Sequence, residues 1–403
     1  MAVPRAGWVK PKNDQRLSDH ISIGVLTRVF PPELVDKIVA EAGRTEKRQR
    51  LLPARVVVYY VLGLALFSQC SYEEVMRMLV EGLSWADGWS APWSVPTKAG
   101  LFKARMRLGP EPMKALFEAV ASPLGTEKTK GVFYQKWRLM AIDGTTLDLA
   151  DTEANDASFG RPTTGRGEGV GAFPQLRVVG LGECGTHAII DAAIDSYATA
   201  EKRLVPRLFR SFAPEMLVFA DRGFYGFALW EQARASGAQL CWRTRTDLVL
   251  PVREQLSDGS YLSEIYARAD RRHDGVVVRV INYGMEDPGR GETSTSYCLL
   301  TTILDPEVAP ANELAALYAE RWEIESSFDE LKSHQRGPRI VLRSKMPEGV
   351  VQELYGYLCT HFAIRWLMHK VASDSGTDPD RLSFTRTLRV ARRTTASHPG
   401  FSP

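Results

Sequence analysis

The 403-residue sequence predicts an α/β or α+β core preceded by an all-helical N-terminal segment. Three observations carry that reading. Up to about residue 125 the apolar residues recur at helical spacing. Near residue 137 the pattern changes to short apolar strands that end on turn signals and alternate with helical stretches. From about 246 to 305 helical spacing fades into alternating pieces such as GVVVRVINYG and SYCLLTTIL, and it returns at Asn312.

In chain order, Ser18-Asp19 supplies a helix start, and Pro31-Pro32-Glu33 opens another with proline in its tolerated first turn. VVVYYVLGLALFSQC, from Val56 to Cys70, is too short to span a bilayer comfortably and reads as a buried helix. SYEEVMRMLVEGL follows with Ser71 as N-cap. A Trp/Pro-rich turn then leads to the basic helix TKAGLFKARMRL, an arrangement like a helix-turn-helix. WRLMAIDGTTLDLAD reads as a strand with a turn at Asp143-Gly144. PQLRVVGLGECGTHAIIDAAIDSY gives two strands joined at Glu183–Gly185, and EKRLVPRLFRSF a helix broken by Pro206. MLVFADRGFYG is a strand, FALWEQARASG a helix and QLCWRTR a further strand. Residues after Ser373 read as a flexible tail.

Composition is that of a globular protein, 44% hydrophobic and 25% charged, which excludes a disordered or collagen-like chain. A net charge of +3 proves no nucleic-acid partner, but the charge is patterned. RTEKRQRLLPAR, KAGLFKARMR and the arginines of the tail from Arg381 to Arg393 form three basic patches suited to phosphates. Lys98, Lys103 and Arg105 of the second patch, and Arg161 and Arg166 near a Gly-rich loop, are the candidate DNA contacts. The five cysteines are scattered and never form a CxxC pair, which fits a reducing cytosol and not a zinc knuckle or disulfide framework. The N-terminus lacks an apolar signal core, so a cytoplasmic protein with no membrane partner is expected. GRGEGVGAF matches neither the dinucleotide fingerprint nor the Lys-bearing phosphate loop.

Three carboxylates stand out by context. Asp143 follows the apolar strand LMAI, and Asp221 ends the apolar strand LVFA. A buried strand that presents a carboxylate at its end is how α/β proteins build sites, and such a group needs a cation or donors. Glu325 lies in LYAERWEIESSFDELKS, where Tyr318, Arg321, Glu325 and Lys332 return to one helix face at roughly 100° per residue. Plainer explanations stay open at this point. Asp before glycine often forms turns, and Arg321 with Glu325 has the spacing of an ordinary ion pair.

The pattern Tyr318-x2-Arg321-x3-Glu325-x6-Lys332 resembles the Tyr-Arg-Glu-Lys signature of DDE transposases of the insertion-sequence-four family. IDGTT and ADRGFYG resemble that family's regions around its first two aspartates, and LSDHISIGVLTRVFPPELVDKIV resembles its N-terminal domain. The resemblance covers about residues 17 to 370. It implies a ribonuclease H-like catalytic core, a mixed sheet with flanking helices, interrupted by a β-rich insertion. The segments expected are a helical DNA-binding domain at 1–130, core at 131–245 and 311–372, insertion at 246–310, and a flexible basic tail at 373–403. It further implies that Asp143, Asp221 and Glu325 hold two Mg²⁺ or Mn²⁺ ions, and that Tyr318, Arg321 and Lys332 grip phosphates. Trp322 or Trp242 would stack a flipped base. A bacterial, nucleoid-associated homodimer acting on transposon ends and target DNA is implied. A nuclease without strand transfer and a non-catalytic DNA-binding derivative are the alternatives.

Overall fold

A computed structural model of the chain describes residues 24–48, 52–81, 96–162, 171–267, 274–285, 295–319, 321–337 and 341–397. Six helices come first: α1 Val25–Val29, α2 Pro32–Glu41, α3 Ala54–Leu66, α4 Tyr72–Glu81, α5 Lys98–Leu108 and α6 Glu111–Val120. Then follow β1 Phe133–Tyr134, β2 Trp137–Asp148, α7 Glu153–Phe159, β3 Gln175–Glu183, β4 Ile189–Ser196 and α8 Glu201–Leu204. After a 3₁₀ stretch across Pro206 come β5 Met216–Ala220, α9 Phe227–Arg234, β6 Gln239–Thr244, β7 Glu254–Gln255 and β8 Tyr261–Ile265. The chain ends with β9 Val276–Met285, β10 Thr295–Thr301, α10 Ala311–Ala319, α11 Trp322–Asp329, α12 Pro347–Ser375 and α13 Phe384–Ser397.

These elements form two units. One comprises residues 123–146 and 176–328; the other comprises 1–122, 147–175 and 329–403. The first is built on a 10-stranded sheet in the order β4-β3-β2-β5-β6-β10-β9-β8-β7, with β1 added beside β2. β5 runs parallel to β2, β6 parallel to β5, and β3 and β4 pair antiparallel. Counted from β2, the first five strands take the order three-two-one-four-five of a ribonuclease H-like core. The β-rich stretch after residue 246 prolongs this same sheet. β10 pairs antiparallel with β6, Cys298 opposite Thr244 and Thr301 opposite Cys241, so the open edge of β6 is covered by its own chain. Every side chain of β5 is buried, as its unbroken apolar run requires of a central parallel strand.

β2 does not turn at Asp143-Gly144. It continues to Asp148, because neither residue takes the positive φ that a tight Asp-Gly hairpin needs, and Leu139 to Ile142 are held in register by β5.

The other unit is helical. α3 is buried along almost its whole length and packs on α12, whose residues from Val350 to Arg365 are nearly all buried. Residues 384–397, expected within a flexible tail, form α13. Phe384, Leu388 and Ala391, at helical spacing, give it a buried face. Arg392 Nε donates to Leu66 O at 2.6 Å, and Arg386, Arg389 and Arg393 are exposed. Among the described residues no helix is long and apolar enough to cross a membrane.

Candidate active site

The sheet brings the two aspartates together. Ile142 and Ala220 are partners in the parallel β2/β5 ladder, and Asp143 and Asp221 are the next residue on each strand. Neighbouring strands lie about 4.8 Å apart, so the two carboxylates stand side by side where β5 ends and β2 runs on. The third carboxylate comes from α11, which is seated on β3 at two glycines. Ile324 occupies the place a side chain at Gly182 would fill. A Cβ at Gly180 would lie 2.8 Å from Phe328 Cζ. Between these two anchors α11 carries Glu325.

Arg321 links the three. It is buried, its Nη1 lies 2.9 Å from Glu325 Oε1, and its charge bears on both Asp143 and Asp221. Tyr318 is also buried, edge-on to Phe219 of β5 at 6.3 Å, and donates its Oη to Asp221 Oδ1 at 3.3 Å. Burial pushes the Tyr318 phenol well above its usual range, so it is a neutral donor. Burial, followed by the charge of Glu325, raises the Asp143 carboxyl to about 6 against the pull of Arg321 and the Gly144 N–H. A carboxyl displaced upward in this way is short of positive charge. Carboxylates are the oxygen donors that suit a hard divalent cation such as Mg²⁺ or Mn²⁺.

The Tyr-Arg-Glu-Lys residues do not share one regular helix. α10 is described to Ala319 and α11 from Trp322; Arg321, between them, belongs to neither helix and sits in a turn, its N–H bonding Tyr318 O at 3.2 Å. Tyr318 and Arg321 therefore reach the carboxylates through that turn, while Arg321 and Glu325 still meet as i,i+4 partners. After Asp329 the winding widens to a π-helical turn over Glu330–Gln335. Lys332 lies in that turn, half-buried, and belongs to the helical unit.

Two expected contacts, Arg105 and Trp242, are corrected. Arg105 is not available to DNA. It shares the buried face of α5 with Leu101, Ala104 and Leu108 and donates to Gln352 Oε1 at 2.8 Å, Ser344 Oγ at 3.0 Å and Gly349 O at 3.1 Å. Lys103 is exposed on the opposite face of α5, and Lys98 is exposed at its first residue. Arg161 is tied to Asp151, to Asp156 at 2.9 Å and to Ala172 O at 2.9 Å. Trp242 is no stacking platform: it is fully buried, edge-on to Trp230 at 5.4 Å. Arg166 and the Trp322 side chain lie outside the described residues.

Sequence reasoning missed Arg243. Its Nη1 lies 3.6 Å from Asp221 Oδ1, and its guanidinium stands 4.1 Å over the Tyr297 ring. The strand-end logic that singled out Asp143 and Asp221 applies equally to β6, the next parallel strand, and would have found it.

Residues 20–118 match the family model for the insertion element 4 transposase N-terminal region, and residues 135–363 that for the transposase DDE domain. The chain is 28% identical over 383 residues to the transposase InsG for insertion sequence element IS4 of Escherichia coli K12, spanning 92% of this chain and 83% of that one. The cryo-EM structure of a piggyBac transposase synaptic complex with hairpin DNA aligns at a TM-score of 0.49 and 11% identity. That alignment covers 93% of this chain and 79% of that one, a likeness too slight to carry an argument. With the DDE model matched across more than half its length, the chain belongs to the transposase DDE domain family.

Proposed function

We propose that this protein is the transposase of an insertion sequence, acting by cut and paste. It binds the element's terminal inverted repeats, hydrolyses the phosphodiester bond at each end and joins the freed 3′-hydroxyls to target DNA. The observation that supports this best is the Ile142–Ala220 register. It sets Asp143 beside Asp221, with Arg321, the ion-pair partner of Glu325, bearing its charge on both.

Asp143, Asp221 and Glu325 would hold a pair of Mg²⁺ or Mn²⁺ ions. When bound, these supply a Lewis acid for the phosphoryl oxygens and lower the pKa of the attacking water or hydroxyl. The protein's own groups orient the reactants. Tyr318 keeps Asp221 turned towards the site. Arg321 holds Glu325 in the metal-free protein. With cations on the carboxylates, Arg321 would turn to a DNA phosphate, a partner suited to a guanidinium. Lys332 adds a point charge for the same backbone, and Trp322 is the remaining candidate for stacking a flipped base. Lys98 and Lys103, both exposed on α5, engage phosphates in the helical unit. The protein works as a homodimer on paired ends, in the bacterial cytoplasm at the nucleoid.

The test is incubation of the protein with Mg²⁺ and a DNA fragment carrying the element's terminal repeats. Cleavage followed by joining into a second DNA is the expected result. Cleavage without joining would make it a nuclease. Equal cutting by wild type and Asp143→Asn or Glu325→Gln would remove the catalytic reading.

A further inference from the structure

A fourth acidic side chain stands against the same strand end. Glu201 opens α8, and its Oε1 accepts from Arg177 Nη1 of β3 at 3.0 Å. Arg177 is itself fixed. Its Nη2 donates to Tyr197 O at 3.1 Å, and its guanidinium lies 4.9 Å from the Tyr197 ring centre. The carboxylate held in this way rests on Gly144, the residue directly after Asp143. A Cβ at 144 would lie 2.5 Å from Glu201 Cδ and 2.7 and 2.9 Å from its two oxygens.

Gly144 has no positive φ, so its backbone conformation does not call for glycine. A glycine inside a strand is destabilising relative to alanine. An ordinary surface ion pair contributes little and needs no such concession from a neighbouring strand. The concession has one evident effect: it admits a carboxylate to the backbone of the metal-site strand. The charge of Glu201 is felt at Asp143, where it adds to the effect of burial and of Glu325.

We propose that Glu201 is a positioning residue of the metal site: fixed by Arg177 and admitted by Gly144, it places a further negative charge beside Asp143 that strengthens divalent-cation binding without ligating the ion. The inference rests on Asp143, Asp221 and Glu325 being the residues that hold the metal. Arg177 and solvent offset part of the charge, which limits the effect to roughly fivefold to tenfold in affinity.

The experiment titrates Mn²⁺ into the full-length protein without DNA and follows free Mn²⁺ by electron paramagnetic resonance, so the readout is binding and not turnover. Glu201→Gln keeps the size and the acceptor for Arg177 but loses the charge, and Glu201→Asp keeps the charge. The inference expects Glu201→Gln to bind Mn²⁺ roughly fivefold to tenfold more weakly, with Glu201→Asp within about twofold of wild type. Gly144→Ala, which must displace the carboxylate, is expected to weaken binding as Glu201→Gln does. If Asp143→Asn loses Mn²⁺ while Glu201→Gln binds like wild type, the inference falls and the metal site stands. Equal loss in Glu201→Gln and Glu201→Asp marks a purely structural brace and also overturns it. If Asp143→Asn binds like wild type, the metal site and the inference fall together.

Discussion

Tyr318 donates its hydroxyl to Asp221 Oδ1 at 3.3 Å, and Arg243 stands 3.6 Å from the same oxygen. The second aspartate is thus held by one neutral donor and faced by one positive charge. Burial keeps the Tyr318 phenol protonated, so its contribution is orientation and not charge.

Tyr318→Phe removes that orientation and little else. The ring stays packed against Phe219, and the lost hydrogen bond costs about 0.5–1.5 kcal/mol of stability. Strand cleavage is expected to fall roughly tenfold, since a small misplacement of a metal-holding carboxylate is costly to catalysis. Denaturant midpoints and single-turnover nicking rates measure the two effects separately.

Asp143 makes the metal-free protein's stability depend on pH, and the sign is determined. Its folded carboxyl titrates at about 6 against an ordinary value of 3.8. The folded state binds this proton more tightly than the unfolded state. The contribution of Asp143 to stability is therefore greatest below pH 4, falls as pH rises from 4 to 6, and is level above that. The loss is at most about 3 kcal/mol. Asp143→Asn is expected to be more stable than wild type at pH 7.5 in the presence of a chelator, with the difference vanishing near pH 4. Adding Mg²⁺ should stabilise wild type and leave the variant unchanged. Urea unfolding at several pH values gives the comparison.

The same carboxyl makes metal binding compete with a proton. Below pH 6 the apparent Mn²⁺ affinity is expected to fall by about tenfold per pH unit, and to be nearly flat between pH 7 and 8. Titrations of Mn²⁺ at fixed ionic strength check the slope.

Glu325 reaches the site because α11 is seated on two glycines of β3. Gly182→Val puts a branched side chain where Ile324 packs. Overpacking of this kind costs about 1–3 kcal/mol and pushes α11 off the sheet, carrying Glu325 away from the aspartates. Activity should fall further than stability does, and nicking measured well below the melting temperature separates the two.

Much of this site was legible because burial and chemistry coincide. LMAI and LVFA are apolar up to the residue where each presents an aspartate, and only a strand buried on both faces has that pattern. Other features depend on tertiary context. Arg321, which lies outside both α10 and α11, has no glycine or proline beside it to announce a turn, so LYAERWEIESSFDELKS reads as one helix. Asp143-Gly144 carries a turn signal, but the β5 ladder and the Glu201 carboxylate against Gly144 accompany an extended strand there. Trp242 and Arg105 looked like surface chemistry, because sequence alone does not reveal which neighbours enclose a large side chain. For Arg105 a signal existed: it lies four residues after Leu101 and three before Leu108, on the apolar row of α5.

That row yields a prediction in which two basic residues of one helix behave oppositely. Arg105 is buried with three acceptors on the α12 side of the helical unit, so Arg105→Ala leaves Gln352 and Ser344 without their donor and opens a cavity. A loss of about 3–5 kcal/mol follows, and any fall in DNA binding should track the unfolded fraction. Lys103 is exposed, so Lys103→Ala should leave the melting temperature unchanged within a degree or so. If α5 lies on DNA, the same substitution weakens binding to repeat and non-repeat DNA alike and reduces the slope of log affinity against log salt by about one. Fluorescence anisotropy at several salt concentrations, paired with thermal melts, reads both. An unchanged salt slope for Lys103→Ala with a lowered one for folded Arg105→Ala would reverse the assignment of the two faces.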